Sequence, residues 1–217
     1  SSYEQISQEL SILTAVETTF GEFAEGSGLN ATIDAFFDSL RGLAAHPLER
    51  VWRNDVVSCA EVMCSEFRRM GASLSNLEDQ VVLEAKNTGE SINSLIKQIA
   101  ELNGKIQVIE ISQGQANNLR DHRDQLIVEL AKLASVETTD REHGIVDVSI
   151  GGLPIVTGAI TVEIQVGLRD DGSLGVSAGN SNGYGITVQG GRLGGLMSLK
   201  NELLQGIATD LDHLAQE

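Results

Sequence analysis

Apolar residues in the first 135 positions recur at intervals of three and four, the pattern of helices with one buried face. This pattern predicts a first helix over about residues 3–20 and a second from a cap at Asn30 to just before Pro47. The longest stripe predicts one helix over about residues 49–111, on the order of 90 Å long at 1.5 Å per residue. Its members are Val56, Ala60, Met63, Phe67, Met70, Leu74, Leu77, Val81, Ala85, Thr88, Ile92, Leu95, Ile99, Leu102, Ile106 and Ile109.

Glycines interrupt the long stripe at Gly71, Gly89 and Gly104. Each weakens a helix by up to about 1 kcal/mol relative to alanine, so tertiary packing must hold this helix together, and we expect a bend near Gly89. After a turn at 112–115, a return helix is predicted to pack antiparallel against the end of the long one. Its apolar positions are Leu119, Leu126, Leu130 and Leu133.

The period changes to two after about residue 136, and fourteen of the 23 glycines fall between Gly144 and Gly195. Alternation predicts short strands with one buried face, and Asp171-Gly172 predicts a hairpin, giving four or five strands in all. One strand is predicted over Val146, Val148 and Ile150, another over Ile160, Val162, Ile164 and Val166, and later ones around Leu174, Val176, Ile186 and Val188. Helical spacing returns from Leu193 to Leu214, with Lys200 an imperfect member.

These elements predict a mainly helical α+β fold. We expect an elongated bundle of long antiparallel helices over residues 1–135, with residues 191–217 packing back on it. Residues 136–190 are expected to form a small antiparallel β-rich subdomain.

Composition narrows the function classes. The 217 residues carry fifteen Lys and Arg against thirty-one Asp and Glu, a net charge of −16, which argues against binding nucleic acid phosphates. No run of eighteen apolar residues predicts a membrane span, and no signal peptide is predicted. Only five Phe, two Tyr and one Trp are present, so the core must be aliphatic. The missing initiator Met predicts that a longer protein was trimmed.

One cluster invites a metal-site interpretation. Asp121, His122 and Asp124 lie within four positions of a predicted helix. On a helix the two aspartates share a face while the imidazole points elsewhere, so the three side chains cannot converge on one ion. An ion-paired helix start is the better interpretation.

Other candidates also favour structural roles. The glycine-rich stretch 190–195 lacks both the P-loop and the dinucleotide-binding spacing, which leaves a tight strand-to-helix connection. Cys59 and Cys64 lie roughly 140° apart around a helix, a poor geometry for a disulfide. The histidines are scattered, at His46, His122, His143 and His213. We therefore predict no catalytic, cofactor-binding or metal-binding residue and no cofactor.

Several motifs, in order along the chain, resemble those of the flagellar hook-associated protein 1 family. They are FFDSL at 36–40 with Leu43, Ala44 and Pro47; INSL at 92–95 and IAELN at 99–103; QANNLRDHRDQL at 115–126; VSIGG at 148–152 and VTG at 156–158; and GRLGGL at 191–196 with LD at 211–212 and LA at 214–215. Two positions depart from the family pattern, because Asn118 stands where Asp is usual and Arg120 where Leu is common.

The resemblance implies a non-catalytic subunit of the hook–filament junction, exported through the flagellar type III channel to the extracellular flagellum. The implied partners are further copies in a ring, the hook protein, a second junction protein, and an export chaperone bound through a terminal segment. The resemblance also implies a fragment without the family's two terminal segments, which we expect to be monomeric.

Two alternatives stay open from the residues alone. A coiled-coil signalling or adaptor protein would explain the helical hairpin and the acidic surface. A metal-dependent hydrolase would need Asp121, His122 and Asp124 to bind metal.

Overall fold

The computed structural model describes residues 28–112, 114–179 and 183–216. Within them the chain divides into two compact units, one of residues 79–203 and one of residues 28–78 with 204–216. The helix predicted over residues 3–20 lies outside the described residues. No helix of the described ranges is both long and apolar enough to cross a membrane.

The first two helices of the described residues begin and end close to the residues predicted for them. Helix α1 spans Leu29–Ala45 and ends before Pro47, and helix α2 is continuous over the 62 residues Arg50–Ile111. The predicted cap at Asn30 is wrong, because α1 already begins at Leu29 after Gly28. Gly28 has φ 99°, a conformation that side chains disfavour, and its carbonyl accepts a hydrogen bond from the Thr32 N–H at 3.3 Å.

Helix α3, Asn117–Leu133, returns antiparallel to the end of α2, as predicted. Arg120 of α3 bonds to Glu110 of α2, while Arg123, one turn further along α3, reaches back to Asn103. Both helices bury aliphatic side chains. They include Ile92, Ile96, Ile99 and Ile106 of α2 and Leu126 and Leu130 of α3.

A four-stranded antiparallel sheet follows α3, with the strands in chain order. The strands are β1 Val136–Asp140, β2 Val146–Ile150, β3 Leu153–Thr157 and β4 Ile160–Thr161. Strand β2 buries Val146, Val148 and Ile150 on one face, as the alternation predicted. Strand β1 was not predicted, because four of its five residues are exposed and no apolar alternation marks it.

A separate two-stranded hairpin consists of β5 Ile164–Leu168 and β6 Leu174–Ala178. The turn is at the predicted Asp171-Gly172, and Gly172 has φ 78°. The predicted single strand from Ile160 to Val166 is wrong, because the chain leaves the first sheet after Thr161 and enters the second at Ile164. Near Ile186 the described chain contains one isolated bridge to Val176 where a longer strand was expected.

The last helical region is divided where the sequence predicted a single helix. Helix α4 spans Gly191–Ser198, a π-helical turn follows over Leu199–Leu204, and helix α5 spans Gln205–Gln216. Lys200, the imperfect member of the stripe, lies in the π-helical turn. The fold is α+β and mainly α, as predicted.

Candidate functional site: asparagine clamps between helices and strands

Asn103 of α2 is fully buried and bonds to both backbone groups of Val146, the first residue of β2. Its Nδ2 donates to the Val146 carbonyl at 2.7 Å, and the Val146 N–H donates to its Oδ1 at 3.2 Å. Nδ2 also donates to the carbonyl of Gly158, between β3 and β4, at 2.9 Å. Because an amide offers both donors and an acceptor, this side chain acts toward β2 as a neighbouring strand would.

Two further asparagines repeat this arrangement. The Asn93 amide donates to the Ile164 carbonyl at 2.8 Å and accepts from the Ile164 N–H at 2.9 Å. The Asn201 amide donates to the Leu174 carbonyl at 2.9 Å and accepts from the Leu174 N–H at 2.6 Å. Ile164 and Leu174 are the first residues of β5 and β6. We call these three contacts, made by Asn93, Asn103 and Asn201, the asparagine clamps.

The clamps account for two features of the fold. Asn93 forms hydrogen bonds with both backbone groups of Ile164. At this residue the chain therefore pairs with a helix side chain, where a continuous strand was predicted. Asn201 lies in the π-helical turn, whose widened backbone carries the amide that meets Leu174.

Arg123 extends the clamp at Asn103 into a polar network. It is 4% exposed, and its Nη1 donates to the Gly144 carbonyl and lies 3.5 Å from Asn103 Oδ1. Its Nη2 bonds to Asp124 at 2.9 Å. The predicted ion-paired helix start is wrong, because the first turn of α3 has no acidic residue and this pair lies further along the helix. A buried cation is therefore satisfied by one carboxylate and by the backbone that leads into β2.

Arg120, one of the departures from the family pattern, forms a two-point ion pair with Glu110. Arg120 Nε and Nη2 lie 2.6 and 2.5 Å from the two carboxylate oxygens of Glu110. The hydrogen bond from Arg120 lowers the pKa of Glu110, burial opposes this, and the charges of Arg120 and Arg123 lower the pKa further. A Cβ at Gly144 would come within 2.5 Å of Arg120 Nη2, so glycine at this position makes room for the pair.

Glycines provide the close approaches between helices and strands. A Cβ at Gly89 of α2 would lie 2.7 Å from the Val166 side chain of β5, and one at Gly104 would be in ordinary contact with Ala159. A Cβ at Gly191 would lie 2.5–2.7 Å from the backbone at the end of α3. The 190–195 stretch is thus a close connection between a strand region and a helix, the interpretation favoured from sequence. The bend expected near Gly89 stays a prediction.

Tyr184 covers a glycine pair that sequence patterns did not reveal. Gly167 and Gly175 face each other across β5 and β6, and a Cβ at either position would collide with Tyr184. Arg169 donates to the Tyr184 carbonyl at 2.7 Å and to Thr187 Oγ1 at 3.0 Å. The ring of Tyr184 covers Gly167, while its carbonyl oxygen and Cβ lie against Gly175.

Asp121, His122 and Asp124, which were considered for a metal site, do not form one among the described residues. Asp124 is engaged by Arg123, and no group of three or more His, Cys, Asp or Glu residues in the described ranges is placed to hold a metal ion. Cys59 is half-buried and Cys64 is exposed, both as free thiols. The absence of catalytic and cofactor residues stays a prediction.

The family model for the flagellar hook-associated protein FlgK helical domain matches residues 13–217. The chain belongs to this family. Its resemblance to hook-associated proteins, inferred from the motifs, is confirmed. The buried residues Asn103 and Arg123, and the exposed Asp124 that pairs with Arg123, lie in two of those motifs.

Curated relatives carry the name flagellar hook-associated protein 1. The protein from Bacillus subtilis (strain 168) is 26% identical over 170 residues, covering 78% of this chain and 32% of the relative. The protein from Salmonella typhimurium (strain LT2) is 27% identical over 201 residues, covering 88% and 36%. The chain therefore spans about a third of the length of these relatives.

A solved structure shows the same fold. The flagellar hook junction protein FlgK from Burkholderia pseudomallei superimposes with a TM-score of 0.84 at 25% identity, covering 98% of this chain and 40% of that one. None of these comparisons favours the coiled-coil adaptor alternative.

Proposed function

We propose that this FlgK-family chain is part of a structural subunit that joins the flagellar hook to the filament, acting by subunit packing and not by catalysis. The observation that carries the proposal is the family match over residues 13–217. The TM-score of 0.84 to a hook junction protein supports it. The buried polar groups Asn103 and Arg123 also support it, since both bond to the protein's own backbone and so fix the fold.

The proposed partners follow from the same role. They are further copies of the subunit in a ring, the hook protein, the second junction protein and an export chaperone that binds a terminal segment outside these 217 residues. We place the intact protein in the extracellular flagellum, after type III export. Within the chain, we propose a helical domain of residues 1–135 with 191–217, and a β-rich subdomain of residues 136–190.

Deletion of the parent gene tests the role. We expect cells of the deletion strain to build hooks, to lose filament protein into the medium and to be non-motile. The full-length gene should restore attached filaments, and electron microscopy with antibody labelling should place its product in a band at the hook–filament joint. Attached filaments in the deletion strain would refute the proposal.

The isolated chain has its own expected outcome. Because the resemblance places assembly in terminal segments, we expect a monomer of 23.2 kDa by light scattering. Rings formed by the 217 residues alone would contradict this.

A further inference from the structure

Asn103, the buried asparagine of one clamp, is followed by Gly104. An asparagine that precedes glycine loses its side-chain amide more readily than other asparagines in a flexible chain, because glycine has no Cβ to hinder attack by its own backbone nitrogen. The 217 residues contain this pair twice, at Asn103-Gly104 and at Asn182-Gly183. The first pair lies where hydrogen bonds to two strand-end residues, Val146 and Gly158, depend on the intact amide.

The folded chain keeps Asn103 and Gly104 out of the reactive geometry. Gly104 lies inside the continuous helix α2, where its N–H is directed along the helix toward the preceding turn. Asn103 Nδ2 donates to Val146 and Gly158 at 2.7 and 2.9 Å, which fixes the orientation of the amide. The side chain is 0% exposed, so solvent water does not reach it. Attack of the Gly104 nitrogen on Asn103 Cγ therefore requires the helix turn and the clamp to open together.

We propose that Asn103 is a deamidation site that the closed clamp protects and that opening of the clamp exposes. In the opened chain the Gly104 nitrogen attacks Asn103 Cγ, and the new N–Cγ bond replaces the Cγ–Nδ2 bond. The side-chain nitrogen leaves as ammonia, carrying the proton that the Gly104 nitrogen gives up through water. A water molecule then opens the resulting succinimide ring, at Cγ to give aspartate or at the backbone carbonyl carbon to give isoaspartate. One water is consumed and one ammonia is released, with no oxidation or reduction.

Neither product can form the clamp again. Both lack the NH₂ group, so the carbonyls of Val146 and Gly158 lose their donors and a carboxylate enters a buried site. Isoaspartate also lengthens the backbone of α2 by one carbon, which interrupts the helical repeat. A chain that has reacted once therefore opens more readily at β2, and the change is irreversible.

The other two clamps lack this labile pair. The residues after Asn93 and Asn201 carry side chains, which crowd the attacking nitrogen. Packing does not require glycine after Asn103, since a Cβ at Gly104 would be in ordinary contact with Ala159 at 3.5 Å. Alanine also favours helix. Gly104→Ala is therefore a variant that keeps the fold and removes the labile pair.

The test follows amide loss by peptide mass spectrometry in the full chain, at mildly alkaline pH, in native buffer and in denaturing guanidinium chloride. In denaturant Asn103 and Asn182 should react at rates within about twofold of each other, because glycine follows both. In native buffer Asn103 should react slower than in denaturant by a factor on the order of a hundred or more, since the reaction waits for opening. Equal rates at Asn103 in the two conditions would overturn the protection.

Matched variants separate the two pairs. Gly104→Ala should slow the reaction at Asn103 in denaturant on the order of tenfold and leave Asn182 unchanged, because a methyl group then crowds only one attacking nitrogen. Gly183→Ala should do the reverse. These rates are measured on the denatured chain and do not depend on whether a variant folds. Loss at Asn103 that Gly104→Ala does not slow would overturn the proposed route.

Refolding tests the irreversible loss of the clamp. Parent chains that have reacted in denaturant are returned to native buffer, and hydrogen exchange of the β2 amides is measured on those that carry aspartate or isoaspartate at position 103. They should exchange on the order of tenfold faster than unreacted chains, because the clamp is missing. Gly104→Ala chains incubated in the same way should keep the protection of unreacted chains. Unchanged β2 exchange in the reacted parent would overturn this step.

Discussion

Replacing Asn103 by aspartate removes one NH₂ group from the buried clamp and leaves its shape nearly unchanged. The carbonyls of Val146 and Gly158 lose donors that lie at 2.7 and 2.9 Å, and a carboxylate oxygen then faces them. A buried acceptor left without a partner costs about 1–3 kcal/mol. Attraction to Arg123, whose Nη1 lies 3.5 Å from Oδ1, offsets part of this loss. We expect the free energy of unfolding to fall by about 2–4 kcal/mol.

Hydrogen exchange of the β2 amides, followed as a function of urea, measures this change in the unit that contains the clamp. A melt of the whole chain would mix two compact units and would not yield one free energy. Asn87→Asp is the matched control, since Asn87 is exposed on the same helix and the substitution adds the same charge. It should shift stability by no more than about 0.5 kcal/mol.

Two results would contradict the stabilising role of the clamp at Asn103. If Asn103→Asp stays within about 0.5 kcal/mol of the parent, the clamp does not hold β2 on the helix. If Asn87→Asp destabilises equally, the cause is added repulsion in a chain of net charge −16 and not the loss of the clamp.

Three further outcomes are expected. Gly71→Ala should stabilise the unit of residues 28–78 and 204–216 by up to about 1 kcal/mol, measured by hydrogen exchange of its α2 amides as a function of urea, because nothing lies within 4 Å of the added methyl and alanine favours helix. Gly89→Ala should instead destabilise the unit that contains it by about 1–3 kcal/mol, because the methyl would lie 2.7 Å from the stiff Val166 side chain. Equal gains in stability from both substitutions would contradict the close approach of Val166 to Gly89. Since the folded-state pKa of Glu110 is lowered, its contribution is present above the ordinary glutamate pKa and is lost as the pH falls through the lowered value. Hydrogen exchange of the α3 amides as a function of urea, from pH 6 to pH 3, should therefore show a smaller acid-induced loss of stability for Glu110→Gln than for the parent, and identical slopes would argue against the pair.

Local sequence patterns were sufficient to predict the elements that are stabilised by residues close together in the chain. The stripe from Val56 to Ile109 belongs to a helix predicted over about residues 49–111, and α2 spans Arg50–Ile111. The agreement is close because a helical face needs only apolar residues at regular spacing. Asp171-Gly172 predicted its hairpin, because the turn needs a residue that accepts positive φ. The order of the motifs also predicted the family, which the comparisons confirm.

The clamps were missed, although one of them left a signal. Asn103 lies four residues after Ile99 and three before Ile106, so an amide occupies a position of the apolar stripe. A polar residue there must find buried partners, yet periodicity cannot say which strand supplies them. Asn93 is only half-buried, so its pairing with Ile164, 71 positions away, had no comparable signal.

Patterns along the chain were thus enough to predict helices α1, α2 and α3, the hairpin between α2 and α3, the β-rich region and the family. Contacts formed on folding determine where the strands divide, why Gly89 and Gly191 are glycines, and which asparagines attach strands to helices. The difference lies in the range of the interactions. Helical stripes and tight turns are satisfied within a few residues, whereas a buried backbone group at Val146, Ile164 or Leu174 is satisfied by a side chain brought near only by folding.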